Sequence, residues 1–403
     1  MKILIADKFE SWGVDALKKA GHAVTYDPPL EGDALRDAIG RTGCTTLVVR
    51  GTKVTADMFA AAPNLGLVVR AGAGYNTIDV AAASRHGVFV SNCPGKNAIA
   101  VAELTFGLIL ALDRRIVDNT VDLRAGVWNK KDYSEARGLK DRTIGIIGMG
   151  QIGHAVAARA RAFEMNVVAW GRSFKPFEAE RLGIERCETP ADVAEKCDIL
   201  SIHLAAAPGT KNLVNAAVLD RLAPGSYLIN TARAEVMDYD ALAAAVEKKK
   251  LRVGTDVFPG EPSGGKDKFE AAIVKAGGVV YGTHHIGAST EQAQNAIATE
   301  TLRIIEVFSA TGQVPNCVNI ETRSPAKCQM VVRHYDKVGV LAAVLGALRK
   351  ANINVQEMSN TVFQEHQAAV AAIRLAEMPG PEVLAEITGL KDMVIHVEVR
   401  PIG

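Results

Sequence analysis

Short apolar runs recur through the first ninety residues, at 3–6, 23–26, 46–50, 67–70 and 88–90, with stretches of helical periodicity between them. Runs that are apolar at successive positions, rather than at every second one, predict strands buried on both faces and joined by crossover helices. The implied architecture is a doubly wound parallel α/β sheet. From 98 to about 123 the pattern becomes one long, strongly apolar helix that includes Glu103, more apolar than a surface helix requires, and it predicts a connector buried between domains.

A second series of strands starts at Thr143, at 144–147, 167–170, 199–204, 227–230, 253–257 and 279–281, and predicts a second doubly wound sheet. After His285-Ile286-Gly287-Ala288 a helix carrying Ala293, Ile297, Leu302 and Ile305 on one face returns the chain to the first sheet. The first domain is then discontinuous, 1–97 with 289–320, around a second domain at 98–288. A polar linker at 321–325 precedes a different pattern. It runs strand 328–334, helix (Val340, Leu341, Val344, Leu345, Leu348), strands 355–361 and 369–375, helix 383–390, and a strand placing Met393, Ile395, Val397 and Val399 on one face. This β-α-β-β-α-β order is the ferredoxin-like α+β plan, predicted for 326–403.

Composition narrows the function. Of 403 residues, 48% are hydrophobic and 23% charged, with 46 Lys plus Arg against 45 Asp plus Glu, so no global field favours nucleic acid or an anionic membrane. The six cysteines form no C-x-x-C pair and have no histidine at ligand spacing, which predicts neither a metal site nor a disulfide framework and fits a reducing cytoplasm. The N-terminal segment turns acidic at Asp7, too early for a signal peptide, and no apolar run is long enough to span a bilayer.

Gly148-Met149-Gly150-Gln151-Ile152-Gly153 follows a predicted strand and opens a helix placed near His154. In that context the glycines permit a tight turn, close approach of a pyrophosphate and close helix–strand packing, and the helix N-terminus offers free N–H groups. The next strand ends in Gly171-Arg172-Ser173 where a carboxylate would hold the ribose hydroxyls of NAD. Gly171 leaves room for a 2′-phosphate that Arg172 and Ser173 would bind, so NAD and NADP both stand as cofactors.

Arg233, Glu261 and His285 fall in loops after strands of the second sheet, where ligands of such sheets bind. Oxidising a 2-hydroxy acid requires a cation for the carboxylate, a base for the hydroxyl proton and a carboxylate to hold that base; Arg, His and Glu meet those needs. A neighbouring Glu favours the charged form of such a histidine.

With these motifs the chain resembles the D-isomer-specific 2-hydroxyacid dehydrogenase family, and within it the D-3-phosphoglycerate dehydrogenase branch, over nearly its whole length. The resemblance implies that Arg233, Glu261 and His285 are the catalytic triad and that Asp256 contacts the nicotinamide. It also implies that the 70–74 segment, with Arg70, Ala73 and Gly74, binds the substrate carboxylate, and that Asn97 and Glu103 sit at the domain junction. Where the family has Thr-Pro-His this chain has Thr283-His284-His285; His285 is taken as the base because Ile-Gly-Ala follows it, with His284 the alternative.

Arg50 and Arg70, both at strand ends, are predicted to bind the phosphate of 3-phosphoglycerate, whose oxidation is the first step of serine biosynthesis. The alternative is NADPH-dependent reduction of glyoxylate or hydroxypyruvate, and a reading of another class is a nucleotide-sensing regulator without turnover. The tail resembles an ACT domain, in which His334, Asp336 and Asn354 match positions that bind serine, so the resemblance implies an amino-acid effector between paired tails. A homodimer or homotetramer is expected.

Overall fold

In the computed structural model, which describes residues 1–262, 267–275, 277–321 and 323–402, the first apolar runs form five parallel strands. These are β1 (Lys2–Ile5), β2 (Ala23–Tyr26), β3 (Thr46–Val49), β4 (Leu67–Arg70) and β5 (Phe89–Asn92), in the order β2-β1-β3-β4-β5. Alternation along β1 sends Ile3 and Ile5 into one core and Leu4 into the other, so both faces are buried and the strand reads as a continuous apolar run. Ile297, Leu302, Ile304 and Ile305 of the helix Glu291–Thr311 complete one of these cores, and Thr290 caps that helix by accepting the Ala293 N–H.

The second sheet comprises β6 (Thr143–Ile147), β7 (Asn166–Trp170), β8 (Glu185–Arg186), β9 (Ile199–Ile202), β10 (Tyr227–Asn230), β11 (Arg252–Thr255) and β12 (Val280–Gly282). All seven strands are parallel, in the order β12-β11-β10-β9-β6-β7-β8. The order reverses between β6 and β9, which places the ligand crevice of such a sheet at their C-terminal ends.

The predicted 98–123 helix is two helices. Ala98–Arg114 packs Ala102, Phe106, Ile109 and Leu112 on the second sheet, but Arg115 adopts a left-handed φ of 48° and ends it. The following helix, Ile116–Arg124, buries no residue: Ile116, Val121 and Leu123 are half-exposed or more. Only the first part is buried.

The contact pattern divides the chain into Met1–Asn319 and Ile320–Gly403. In the predicted linker, Thr322 lies outside the described residues. The second unit is a four-stranded antiparallel sheet, β14-β15-β13-β16, of β13 (Cys328–Tyr335), β14 (Val355–Val362), β15 (Ala368–Leu375) and β16 (Val394–Pro401). The helices Val340–Lys350 and Pro381–Thr388 supply Val344, Ala347, Leu348 and Ile387 to its core, giving the ferredoxin-like plan. One register differs from the sequence pattern. A bulge between Arg333 and His334 pairs His334 with Val394, so Val394 is buried while Ile395 is exposed.

Candidate active site

The turn after β6 brings Gly148, with a φ of 107°, against the carbonyl of His203; a Cβ on Gly148 would lie 2.3 Å from that oxygen. A Cβ on Gly153 would lie 2.2 Å from the Gly148 carbonyl, so both glycines are required by packing. Gly150 faces open space, and the helix that follows, Gln151–Ala162, has no side-chain cap on its first N–H groups. That combination of close-packed turn, open middle glycine and uncapped helix start fits a dinucleotide pyrophosphate. The helix begins at Gln151, earlier than predicted. Gln151 is exposed and its amide lies against Gly95, whereas Ile152 packs into the core.

At the end of β7 a Cβ on Gly171 would meet the Met149 amide nitrogen at 3.1 Å. Arg172 and Ser173 are exposed, and neither side chain has a hydrogen-bond partner among the described residues. His203 was not singled out from the sequence. It follows β9, beside the turn, and its Nε2 lies 2.8 Å from Ser201 Oγ. Its Nδ1 is buried without a partner, and burial pushes the imidazole down to about 3, so the ring is neutral. The available signal was its position, at the strand end next to the reversal of strand order.

The residues expected to form the triad follow β10, β11 and β12 in the chain. His285 Nδ1 is hydrogen-bonded to Glu261, whose other oxygen accepts the Phe258 N–H at 3.2 Å. Burial alone would raise the Glu261 carboxyl, but the His285 hydrogen bond and charge, the Phe258 N–H and the Arg233 charge together hold it below its usual range. His284 is exposed and makes no side-chain hydrogen bond among the described residues.

Asp256, 1% exposed, accepts three hydrogen bonds: Oδ1 accepts Thr283 Oγ1 at 2.6 Å and the Ile286 N–H at 2.9 Å, and Oδ2 accepts the Gly287 N–H at 2.8 Å. These bonds hold the turn in which His285 takes a left-handed φ of 52°, a conformation costing about 1–3 kcal/mol for a residue with a side chain. Asp256 thus anchors the histidine turn and keeps acceptor capacity on Oδ2, which takes a single bond.

Arg233 reaches across to the first sheet. A Cβ on Gly74 would lie 2.4 Å from Arg233 Nη2, and one on Gly72 would lie 1.5 Å from Arg70 Nη1. The Asn92 amide donates to the Ala73 carbonyl at 2.6 Å and fixes that loop. Asn97 Oδ1 is buried without a partner. Arg50, Arg70 and Arg233 form no ion pair among the described residues. Burial, then the charges of Arg233 and Arg50, push Arg70 down to about 10, which leaves it charged at neutral pH.

The tail residues are not brought together. His334 is 2% exposed, with Nδ1 at 2.8 Å from the Tyr335 carbonyl and Nε2 at 3.0 Å from Asn360 Oδ1. Asp336 follows β13 beside Gln367, whereas Asn354 precedes β14 beside Ala376. Strand β15 separates those two ends, roughly 30 Å at about 3.3 Å per residue.

Residues 106–287 match the family model described as "D-isomer specific 2-hydroxyacid dehydrogenase, NAD binding domain". The chain is 33% identical to D-3-phosphoglycerate dehydrogenase of Mycobacterium leprae, over 94% of this chain and 69% of that one. It is also 33% identical to the enzyme of that name from Haemophilus influenzae, over 88% and 87%. Among solved structures, NAD+-bound 3-phosphoglycerate dehydrogenase of Entamoeba histolytica superposes with a TM-score of 0.67 at 26% identity, covering 79% of this chain and 99% of that one. A glyoxylate reductase from Paecilomyes thermophila gives 0.70 at 25% identity, covering 79% and 98%.

Proposed function

The chain belongs to the D-isomer-specific 2-hydroxyacid dehydrogenase family, and from that premise we propose that it oxidises 3-phosphoglycerate to 3-phosphohydroxypyruvate with a nicotinamide cofactor. The observation that carries the substrate is the crowding of Arg70 by the charges of Arg233 and Arg50, with none of the three in ion-pair contact with a carboxylate among the described residues. Like charges held together away from bulk water repel one another more strongly than they would in solvent. A monoanion such as glyoxylate leaves most of that repulsion in place. A ligand carrying a carboxylate at one end and a phosphate at the other removes it.

In this reading Arg233 and the Gly74 segment hold the carboxylate, while Arg50 and Arg70 hold the phosphate. With Nδ1 committed to Glu261, His285 has Nε2 left to take the proton of the 2-hydroxyl, and Glu261 stabilises the imidazolium that results. When bound, the nicotinamide accepts the C2 hydrogen with its electron pair. Gly148, Gly150, Gly153 and the helix start at Gln151 hold its pyrophosphate, and residues 98–288 act as the cofactor domain against a substrate domain of 1–97 with 289–320.

A second reading, NADPH-dependent glyoxylate or hydroxypyruvate reduction, is favoured by one observation: Gly171 supplies no carboxylate, and the Arg172 and Ser173 side chains beside it have no hydrogen-bond partner among the described residues. The test is a matrix of initial rates with 3-phosphoglycerate, D-glycerate, glyoxylate and hydroxypyruvate against NAD(H) and NADP(H). A kcat/KM for 3-phosphoglycerate at least tenfold above that for D-glycerate supports the first reading, and turnover confined to unphosphorylated acids supports the second. For the tail we propose serine as effector, bound between paired tails of a homo-oligomer. Titration calorimetry that gives neither heat nor inhibition removes that effector.

A further inference from the structure

Two residues beyond β1, the carboxylate of Asp7 lies against the loop that follows the neighbouring strand β3. Its Oδ2 accepts three backbone N–H groups in succession, from Arg50 at 2.6 Å, Gly51 at 3.1 Å and Thr52 at 3.0 Å. Three charge-assisted bonds from consecutive residues to one oxygen define the path of the chain as it leaves the sheet. Arg50 is the first residue of that path. The Asp7 charge also acts on both Arg50 and Arg70, opposing the repulsion within the arginine cluster.

We propose that Asp7 is a positioning residue for the phosphate subsite: it holds the turn that presents Arg50 and offsets part of the cluster's positive charge, and so sets the affinity for the substrate's distal phosphate. This rests on the assignment of a phosphorylated hydroxy acid as substrate. The two contributions separate by substitution. Asp7→Asn keeps an acceptor oxygen for the N–H groups but removes the charge. Asp7→Ala removes both, and Asp7→Glu keeps the charge while an added methylene displaces the oxygen.

The experiment measures kcat and KM for 3-phosphoglycerate and for D-glycerate in the full-length protein. Asp7→Ala is expected to raise KM for 3-phosphoglycerate by about tenfold or more, with kcat and the KM for D-glycerate within about twofold of the parent. Asp7→Asn is expected to bring KM back to within about threefold of the parent, on its lower side, because the turn is kept and loss of the carboxylate charge strengthens attraction of the phosphate. If the alanine variant does not fold, Asp7→Glu carries the test, with a severalfold rise in KM confined to the phosphorylated substrate. An equal rise for both substrates, a fall in kcat alone, or no change in KM overturns the proposal. A parent enzyme that fails to discriminate 3-phosphoglycerate from D-glycerate overturns the substrate assignment and this proposal together, and that result needs no variant.

Discussion

Nδ1 of His285 and the carboxylate of Glu261 are hydrogen-bonded across the cleft end of the second sheet, while the neighbouring His284 reaches no such partner among the described residues. A base fixed in one orientation delivers one nitrogen to substrate. His285→Asn is therefore expected to lower kcat by about 10²–10⁴ while cofactor affinity, read by quenching of protein fluorescence, changes little. His284→Asn is expected to keep kcat within about threefold. The reverse pattern would transfer the role of base to His284.

Gly74 offers a test of Arg233 that leaves the arginine in place. An added Cβ would sit 2.4 Å from Arg233 Nη2, and only the flexible end of the side chain need move to relieve the clash. Gly74→Ala is expected to raise KM about tenfold or more, since displacements near 1 Å at a reacting site cost up to ~10²-fold, while the melting temperature shifts by about 2 °C or less. A KM equal to the parent's would mean that the guanidinium needs no such space.

The end of β7 is the place to alter cofactor choice. Gly171→Asp supplies the missing ribose carboxylate but requires Met149 and Phe174 to give by a few tenths of an ångström, since the new Cβ would lie 3.1 and 3.2 Å from them. The ratio of kcat/KM with NAD to that with NADP is expected to rise by about tenfold or more, as a carboxylate repels a 2′-phosphate. An unchanged ratio would place discrimination elsewhere.

Glu300 predicts an acid limb in stability. The hydrogen bond from Arg303, opposed by burial and aided by Asn316 and Lys96, holds its carboxyl down at about 2 against an ordinary 4.5. A carboxyl lowered in the folded state stabilises it fully above 4.5, and that contribution is lost as pH falls from 4.5 toward 2. Glu300→Gln is expected to cost about 1–2 kcal/mol at neutral pH, because the partnering cations are half-exposed, and to flatten the melting-temperature profile between those pH values. Parallel profiles for parent and variant would contradict this.

Much of the candidate site was legible because the residues proposed for it follow strand ends. Gly148, Gly150 and Gly153 announce themselves by what only glycine permits, and Arg233, Glu261 and His285 by their loops. What escaped the sequence was set by tertiary context. Apolar residues continue past Arg115, so the pattern gave no sign of the left-handed residue that splits the helix or of the exposure of Ile116, Val121 and Leu123. The bulge at Arg333 and His334 exchanged Val394 for Ile395 in the core without any change in alternation. Asp7 carried no signal of a partner in the sequence, because its three N–H donors follow the neighbouring strand β3, and His203 stood out only by its position at the end of β9. Asp256 reads in the sequence only as an acid after a strand, and its bonds to Thr283, Ile286 and Gly287 appear only once the turn is folded against it.

The antiparallel register of the tail has a consequence for how the molecule would sense anything. Asp336 and Asn354 stand at opposite ends of β15, too far apart within one copy for one small amino acid to touch both. An effector that touches both must join two copies, so its apparent affinity includes the association of those copies and falls as the protein is diluted. The concentration of the chain itself then becomes a variable in the response.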